Sequence, residues 1–400
     1  MKLEASKTLK AGWRRVKFGD VVQLVIARSQ DPLADGFERY VGLEHLEPGD
    51  LRIRRWGNVS DGVTFTNVFQ PGQALFGKRR AYQRKVAVAD FAGVCSGDIY
   101  VLETKDAQVL LQELLPFICQ TEAFFNHAVG TSAGSLSPRT NWTSLADFKF
   151  VLPPIGEQQS LVNLLHVATE ANQAQETAIA KAESLLQSFK NEVIGDKSTV
   201  VARTVLLSDV LTGSPDSGCS APPRDADTGY FVLGLAALSR HGYVTGDFKP
   251  VEPTIKMLSA NLSKGDLLIS RSNTPDRVGY VGIFEDDRAD VSFPDTMMRL
   301  KPNPVAIDTT YLEAVLQTNS AREYLMRIAA GTSASMKKIN RANLLKMPLR
   351  LPILETQGTV IERLRHLKGA VELQRGRLGT TRLLIKKISA AALDNGHNDV

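Results

Sequence analysis

The sequence predicts an α+β protein of two tandem globular domains, each followed by a long helix, built by internal duplication. Three observations predict it. Landmarks recur in the same order about half a chain apart, each copy of a Leu-Pro signal opens a sustained heptad pattern, and the remaining segments alternate short apolar runs with Gly and Pro turns.

The repeat sets the domain plan. Gly130-Thr131-Ser132-Ala133 returns as Gly331-Thr332-Ser333-Ala334, and Leu152-Pro153-Pro154-Ile155-Gly156-Glu157-Gln158 returns as Leu351-Pro352-Ile353-Leu354-Glu355-Thr356-Gln357. Earlier in each half, Tyr40-Val41-Gly42-Leu43 answers Val232-Leu233-Gly234-Leu235, and Pro71 to Phe76 answers Lys264 to Ile269. Prolines mark the change from mixed to helical sequence. The expected plan is a first domain over 1–153, a long helix over 154–195, a second domain over 196–350, a second long helix over 351–394 and a tail over 395–400.

The helices follow from spacing. Leu161, Leu165, Ile179, Leu186 and Phe189 recur in steps of three and four in the first, and Val360, Leu364, Leu367, Leu378, Ile385 and Ile388 do so in the second. Such a seam faces a partner helix, and at 1.5 Å per residue each helix would span roughly 57 Å, too long for an ordinary core helix. Asn172 with Gln175, and Gln374 with Thr381, give each seam a polar centre that is expected to fix register. The first helix is acidic and the second basic, which favours pairing them with each other. Gly369, Gly376 and Gly379 cost the second helix about 1 kcal/mol each, so it needs that packing.

The globular halves carry basic, hydroxylated loops flanked by aromatics, the mixture that contacts phosphates and base edges. In the first half Lys78, Arg79, Arg80, Tyr82, Arg84 and Lys85 form the densest cluster, joined by Ser135, Arg139 and Asn141 after the Gly-Thr-Ser landmark. Their counterparts are Arg271, Ser272, Asn273 and Arg277, and then Ser335, Lys337, Lys338, Asn340 and Arg341. Divergent loops on matching scaffolds suit two different half-sites.

Other chemistries are poorly served. With 400 residues, 43% hydrophobic, 23% charged and a net charge of +5, the chain reads as soluble and multidomain, without a signal peptide or a membrane span, and is expected in the cytoplasm. Cys95, Cys119 and Cys219 are too scattered for a disulfide framework or a thiolate metal site. The six histidines show no zinc spacing. Gly72 to Lys78 has the spacing of a phosphate-cradling loop, but Arg79 stands where Ser or Thr would ligate magnesium, so a turn with a basic loop is preferred. Glu103-Thr104-Lys105 imitates a nuclease core and is better read as a surface strand end. No catalytic residue and no metal ligand is expected.

With these residues in view, the chain resembles the DNA-specificity subunits of type I restriction-modification enzymes. The duplicated Leu-Pro motifs, the Gly-Thr-Ser before each, the heptad helix after each and the opening Trp13 to Asp20 carry the resemblance. The second copy departs at Ile353, Leu354 and Thr356, which puts its helix start in doubt. The resemblance implies a non-catalytic subunit with two target-recognition domains, related by a pseudo-twofold repeat and held apart by an antiparallel coiled coil. Each domain would read half of a bipartite double-stranded DNA target, and the helices would set the gap. Two methyltransferase subunits and two motor-nuclease subunits would be the partners, and S-adenosylmethionine, ATP and Mg2+ would reside on them. Glu176, Glu183, Arg375 and Arg382, taken as outer-face residues, are the expected methyltransferase contacts. The alternative is a duplicated DNA-binding regulator or architectural protein acting without a methyltransferase.

Overall fold

The computed structural model describes residues 9–195, 198, 200–331 and 336–393. The chain forms two units, residues 1–176 with 376–400, and residues 177–375. Each therefore contains one globular domain, part of the helix that follows it and part of the other long helix.

The first domain opens and closes on one strand pair, Arg14–Lys17 against Lys149–Leu152, antiparallel. The second does the same with Arg203–Leu206 against Pro348–Leu351. In both, an aspartate ends the opening strand: Asp20 accepts from the Lys17 N–H at 3.4 Å and Asp209 from the Leu206 N–H at 2.8 Å.

A four-stranded antiparallel sheet forms the heart of each domain. Its order is Val22–Leu24, Ile99–Thr104, Ala74–Gly77, Val86–Val88 in the first, and Asp216–Ser217, Met297–Leu300, Leu267–Ser270, Val281–Ile283 in the second. Ala74–Gly77 and Leu267–Ser270 are buried throughout, which explains their unbroken apolar runs. A second sheet holds one parallel pairing in each domain, Arg39–Val41 with Gly93–Cys95 and Phe231–Leu233 with Val291–Ser292. Two short helices follow, Leu115–Cys119 and Glu122–Gly130 in one domain, Thr309–Leu316 and Asn319–Ile328 in the other. Thr121 and Thr318 cap the second of each pair. Their hydroxyls accept from Phe124 and Ala321 N–H groups (3.2 and 3.3 Å) and donate to the Ile118 and Val315 carbonyls (2.9 and 2.7 Å). The closing strand pair, the central sheet, the parallel pairing and the helix pair recur in both domains, while the second domain adds the pair Leu238–Ser239 with Gly242–Tyr243 and the helix Ile255–Leu258.

The long helices run over Ile155–Val193 and Leu354–Leu393. The second starts later than the sequence suggested, because Leu351 is still paired in the closing strand. All eleven expected seam side chains are buried or half-buried. In the first unit Leu161, Leu165, Ile385 and Ile388 join the core around Phe18, Phe76 and Phe124. In the second, Leu186, Phe189, Val360, Leu364 and Leu367 join the core around Leu267, Tyr311 and Leu349.

Within each unit the helices meet antiparallel through a charge pair, Glu176 with Arg382 (2.8 Å) in the first and Glu183 with Arg375 (2.5 Å) in the second. The expected polar register device is not seen. The buried Asn172 and Gln175 side-chain oxygens have no donor among the described residues, and the Thr381 hydroxyl turns back to the Arg377 carbonyl. Among the described residues, no helix is long and apolar enough to cross a membrane.

Candidate nucleic-acid interface

In each domain the chain leaves the central buried strand into the basic loop and is immediately tied to the loop that follows the Gly-Thr-Ser landmark. In the first, the Lys78 N–H donates to the Asp98 carbonyl, Arg79 bridges Arg139 as an isolated antiparallel pair, and the Arg80 N–H donates to the Pro138 carbonyl at 2.7 Å. In the second, the Arg271 N–H donates to the Thr296 carbonyl, and Ser272–Asn273 pairs with Lys337 and Lys338. Two basic segments more than fifty residues apart in sequence thus become one platform in each unit.

The returning end of the loop is pinned twice over. Arg84 sits in the left-handed region at φ +55°, and Gly279, at φ +78°, holds the corresponding place in the second domain. Arg80 and Arg84 are the non-glycine residues of positive φ among the described residues, a strain the surroundings must hold in place. The Arg84 guanidinium pairs with Glu122 and lies over the Phe125 ring, 5.3 Å from its centroid. In the second domain the polarity is reversed. Arg322, on the equivalent helix, lies 4.6 Å from the Tyr280 ring centroid and donates to the Val278 and Asp276 carbonyls at 2.7 and 3.1 Å, holding the turn that carries Arg277. Burial lowers the Arg322 pKa, while the Glu122 hydrogen bond raises that of Arg84.

The individual residues divide by role. Lys78 is half-buried over the Tyr100 ring (4.5 Å), and burial lowers its pKa. Arg79 reaches Asp98 at 3.1 Å and Ser137 at 3.0 Å, and Arg139 reaches Asp98 at 2.9 Å. Arg80 reaches Ser137 at 3.3 Å, and Lys85 donates to the Leu43 carbonyl at 2.7 Å. Tyr82, Ser135, Arg277 and Lys338 are exposed. Lys337 donates to the Gly331 carbonyl at 2.9 Å and Arg341 to Ser217 at 2.6 Å. Ser335 lies outside the described residues, as do Thr332 to Ala334 of the repeated landmark.

Several expected contacts prove to build the loop instead. Ser272 and Asn273 are buried, the Asn273 amide donating to Ser270 and its oxygen accepting from Thr274. Asn141 and Asn340 cap Trp142–Ala146 and Arg341–Leu345, so their side-chain oxygens are committed to backbone N–H groups. Of the expected docking charges, Arg375 and Arg382 are exposed and Glu176 and Glu183 half-buried, and all four have partners within the chain. They pair across the helices, and Glu176 also takes Arg54 at 2.7 Å.

The rival motifs dissolve in the same way. Ala74–Gly77 is strand rather than a phosphate loop. Glu103 accepts from Gln23 and Gln73 at 2.8 and 2.9 Å, and Lys105 donates to the Gly19 carbonyl. Cys95 and Cys119 are buried, and burial pushes the Cys95 thiol up to about 12. Among the described residues no group of three His, Cys, Asp or Glu side chains is arranged to hold a metal ion.

Sequence reasoning missed one pair of residues that anchors the helices. Gln158 and Gln357, wholly buried, occupy the last position of the duplicated Leu-Pro motif. Gln158 donates to the Val109 and Pro153 carbonyls (both 2.9 Å) and accepts from the Leu111 N–H (3.0 Å). Gln357 donates to Ala306 and Pro352 (3.3 and 2.9 Å) and accepts from the Asp308 N–H (3.0 Å). Identity between two diverged copies was the available signal. The changes at Ile353, Leu354 and Thr356 leave this anchor intact.

Comparison with known proteins agrees with this architecture. Residues 254–379 match the family model described as type I restriction modification DNA specificity domain. The type I restriction enzyme EcoDI specificity subunit of Escherichia coli is 28% identical over 184 residues, which cover 44% of this chain and 40% of that protein. The matched stretch thus spans well under half of that relative. Two solved structures share the fold over nearly the whole chain. One, described as the structural basis of complex assembly and conformational transition of the type I R-M system, has TM-score 0.56 and 18% identity, covering 97% of this chain and 99% of its own. The other, a type I restriction-modification S subunit from M. genitalium, has TM-score 0.54 and 11% identity, covering 97% of each. With its duplicated domains, its two long helices and a match to the specificity-domain model over residues 254–379, the chain is similar to the specificity subunits of type I restriction-modification systems.

Proposed function

We propose that this chain is a non-catalytic reader of a bipartite DNA target, each globular domain contacting one half-site through its basic platform. The observation that carries the reading is the joining of two separate basic segments in each unit, Arg79 to Arg139 and Ser272–Asn273 to Lys337 and Lys338. Two platforms on copied scaffolds with different side chains suit two different sequences. Arg79, Arg80, Arg139, Arg277 and Arg341 are the candidates for base or phosphate contact, since an arginine fork can read guanine bidentately. Lys78, Lys85, Lys337 and Lys338 suit phosphate.

The long helices act in this reading as a ruler, compatible with major-groove segments about one turn, roughly 34 Å, apart. Two methyltransferase subunits and two motor-nuclease subunits complete the assembly and bring S-adenosylmethionine, ATP and Mg2+. Since the four charges once assigned to docking are used within the chain, docking falls to exposed apolar side chains of the helices, Leu164 and Val167 in the first unit and Leu185 and Leu373 in the second. Mapping methylated adenine genome-wide, with and without this gene, tests the reading. Loss of one split motif is expected; an unchanged map points to a regulator that binds DNA without a methyltransferase.

A further inference from the structure

We propose that Asp98 is a specificity-determining positioning residue of the first domain: it locks Arg79 and Arg139, from two different loops, into one rigid pair that reads base edges rather than gripping any phosphate. The inference rests on the recognition reading above.

Each carboxylate oxygen holds one arginine, Oδ2 the Arg79 Nη1 at 3.1 Å and Oδ1 the Arg139 Nε at 2.9 Å. The clamp is set deeper than what it holds, with the Asp98 side chain 19% exposed and those of Arg79 and Arg139 37% and 55% exposed. Asp98 is itself fixed, its N–H donating to Ser96 Oγ at 3.2 Å and its carbonyl accepting from Lys78. A guanidinium offers five N–H groups in one plane. Holding Arg139 by its Nε on a half-buried carboxylate fixes the direction of its Nη edge, which is what a two-pronged contact with guanine requires, while Arg79, held by Asp98 and Ser137 together, is fixed beside it. The same carboxylate removes one positive charge from the platform, and so weakens the sequence-independent attraction that every phosphate exerts.

The second domain supplies an internal control. In the sheet ladders Gly77 lies opposite Ile99 and Ser270 opposite Met297, so Thr296 stands where Asp98 stands. Both carbonyls accept from the first N–H of the basic loop, from Lys78 at 3.0 Å and from Arg271 at 2.8 Å. The Thr296 hydroxyl and the Arg271 Nε are buried without hydrogen-bond partners among the described residues, and Ser272 opposite Lys338 stands where Arg79 stands opposite Arg139. The clamp is therefore a property of one domain, and its removal should blur one half-site only.

Asp98→Asn keeps the shape and removes the charge. Adenine-methylation mapping in cells carrying the variant should show one half of the split motif losing definition while the other half and the gap persist. The purified full chain should bind a random-sequence duplex of about 30 base pairs roughly fivefold more tightly at ~0.1 M salt, with a salt slope steeper by about 1. Arg139→Gln, which removes one arm and leaves the clamp, should relax the same half without that gain in random binding, and it decides the matter if Asp98→Asn fails to fold. Both halves staying sharp, both blurring together, or Arg139→Gln sparing that half overturns the proposal. If the wild-type chain directs no split motif at all, the recognition reading itself falls and this inference falls with it.

Discussion

The two units solve the same anchoring problem identically and the same recognition problem differently. Gln158 and Gln357 make matching sets of three buried hydrogen bonds, and Thr121 and Thr318 cap matching helices. At the platforms the chemistry diverges: Asp98 against Thr296, Arg84 on Phe125 against Arg322 on Tyr280. The helix seams differ as well, since the second unit buries Lys190 where the first buries Ser389. What joins each domain to the start of its helix is held constant, while the platform and the far end of the helix seam change.

Removing the shared anchor should have the largest effect. Gln158→Ala and Gln357→Ala each strip three buried hydrogen bonds and leave their partners unpaired, at about 3 kcal/mol in denaturant unfolding. Nearly equal losses would uphold the equivalence of the anchors; a loss confined to one would break it.

Lys190 sharpens the contrast through pH. Its ammonium donates to Gln317 at 2.5 Å, and burial, helped by nearby Lys368 and opposed by Glu313, pushes its pKa down to about 8. A lysine lowered on folding binds its proton less tightly in the native state, so the cost of burying the charge is fully present below about pH 8. That cost is relieved as pH rises from there toward the ordinary lysine value near 10.5. The second unit should gain up to about 3 kcal/mol across that window relative to Lys190→Met, and Ser389→Ala in the first unit should show no such trend. A flat difference between wild type and Lys190→Met would remove the asymmetry.

At the platforms, Arg79→Ala or Arg80→Ala should weaken one half-site and Lys337→Ala or Arg341→Ala the other, by about 1–3 kcal/mol for a base contact. Losses spread evenly over all duplexes would reclassify those residues as phosphate anchors. A matched heptad inserted after Gln175 and after Gln374 adds roughly 10.5 Å of helix and should widen the unspecified centre of the methylated motif. The smallest effect belongs to the inter-helix charge pairs. Glu176→Gln and Glu183→Gln, both at partly exposed sites, should each cost under about 1 kcal/mol and leave the motif unchanged.

Much of this architecture was legible in the sequence because duplication and heptads are long signals. The recurrence of Leu152 to Gln158 as Leu351 to Gln357 located both helices, and opposite helix charges paired them. Residue type alone misled at the platforms. Ser272, Asn273, Asn141 and Asn340 have the chemistry of base contacts, yet the turns and short helices consume their hydrogen-bonding groups locally. In sequence Asp98 reads only, with Asp90, as an acid ahead of the nuclease-like Glu103-Thr104-Lys105, since the arginines it holds lie 19 and 41 residues away. The pairing of Glu176 with Arg382 was hidden because a register cannot be read from one helix at a time.

The division of each unit between distant parts of the chain bears on how the protein is made. The first unit includes residues 376–400. Its core takes in Ile385 and Ile388, so it stays incomplete until the second long helix has left the ribosome. The second unit has all of its segments, 177–375, before then. Chains generally fold domain by domain from the N-terminus during synthesis. Here the order of completion is reversed, and the first globular domain must wait, its apolar helix face uncovered, until residues 385–388 of the second long helix have been made.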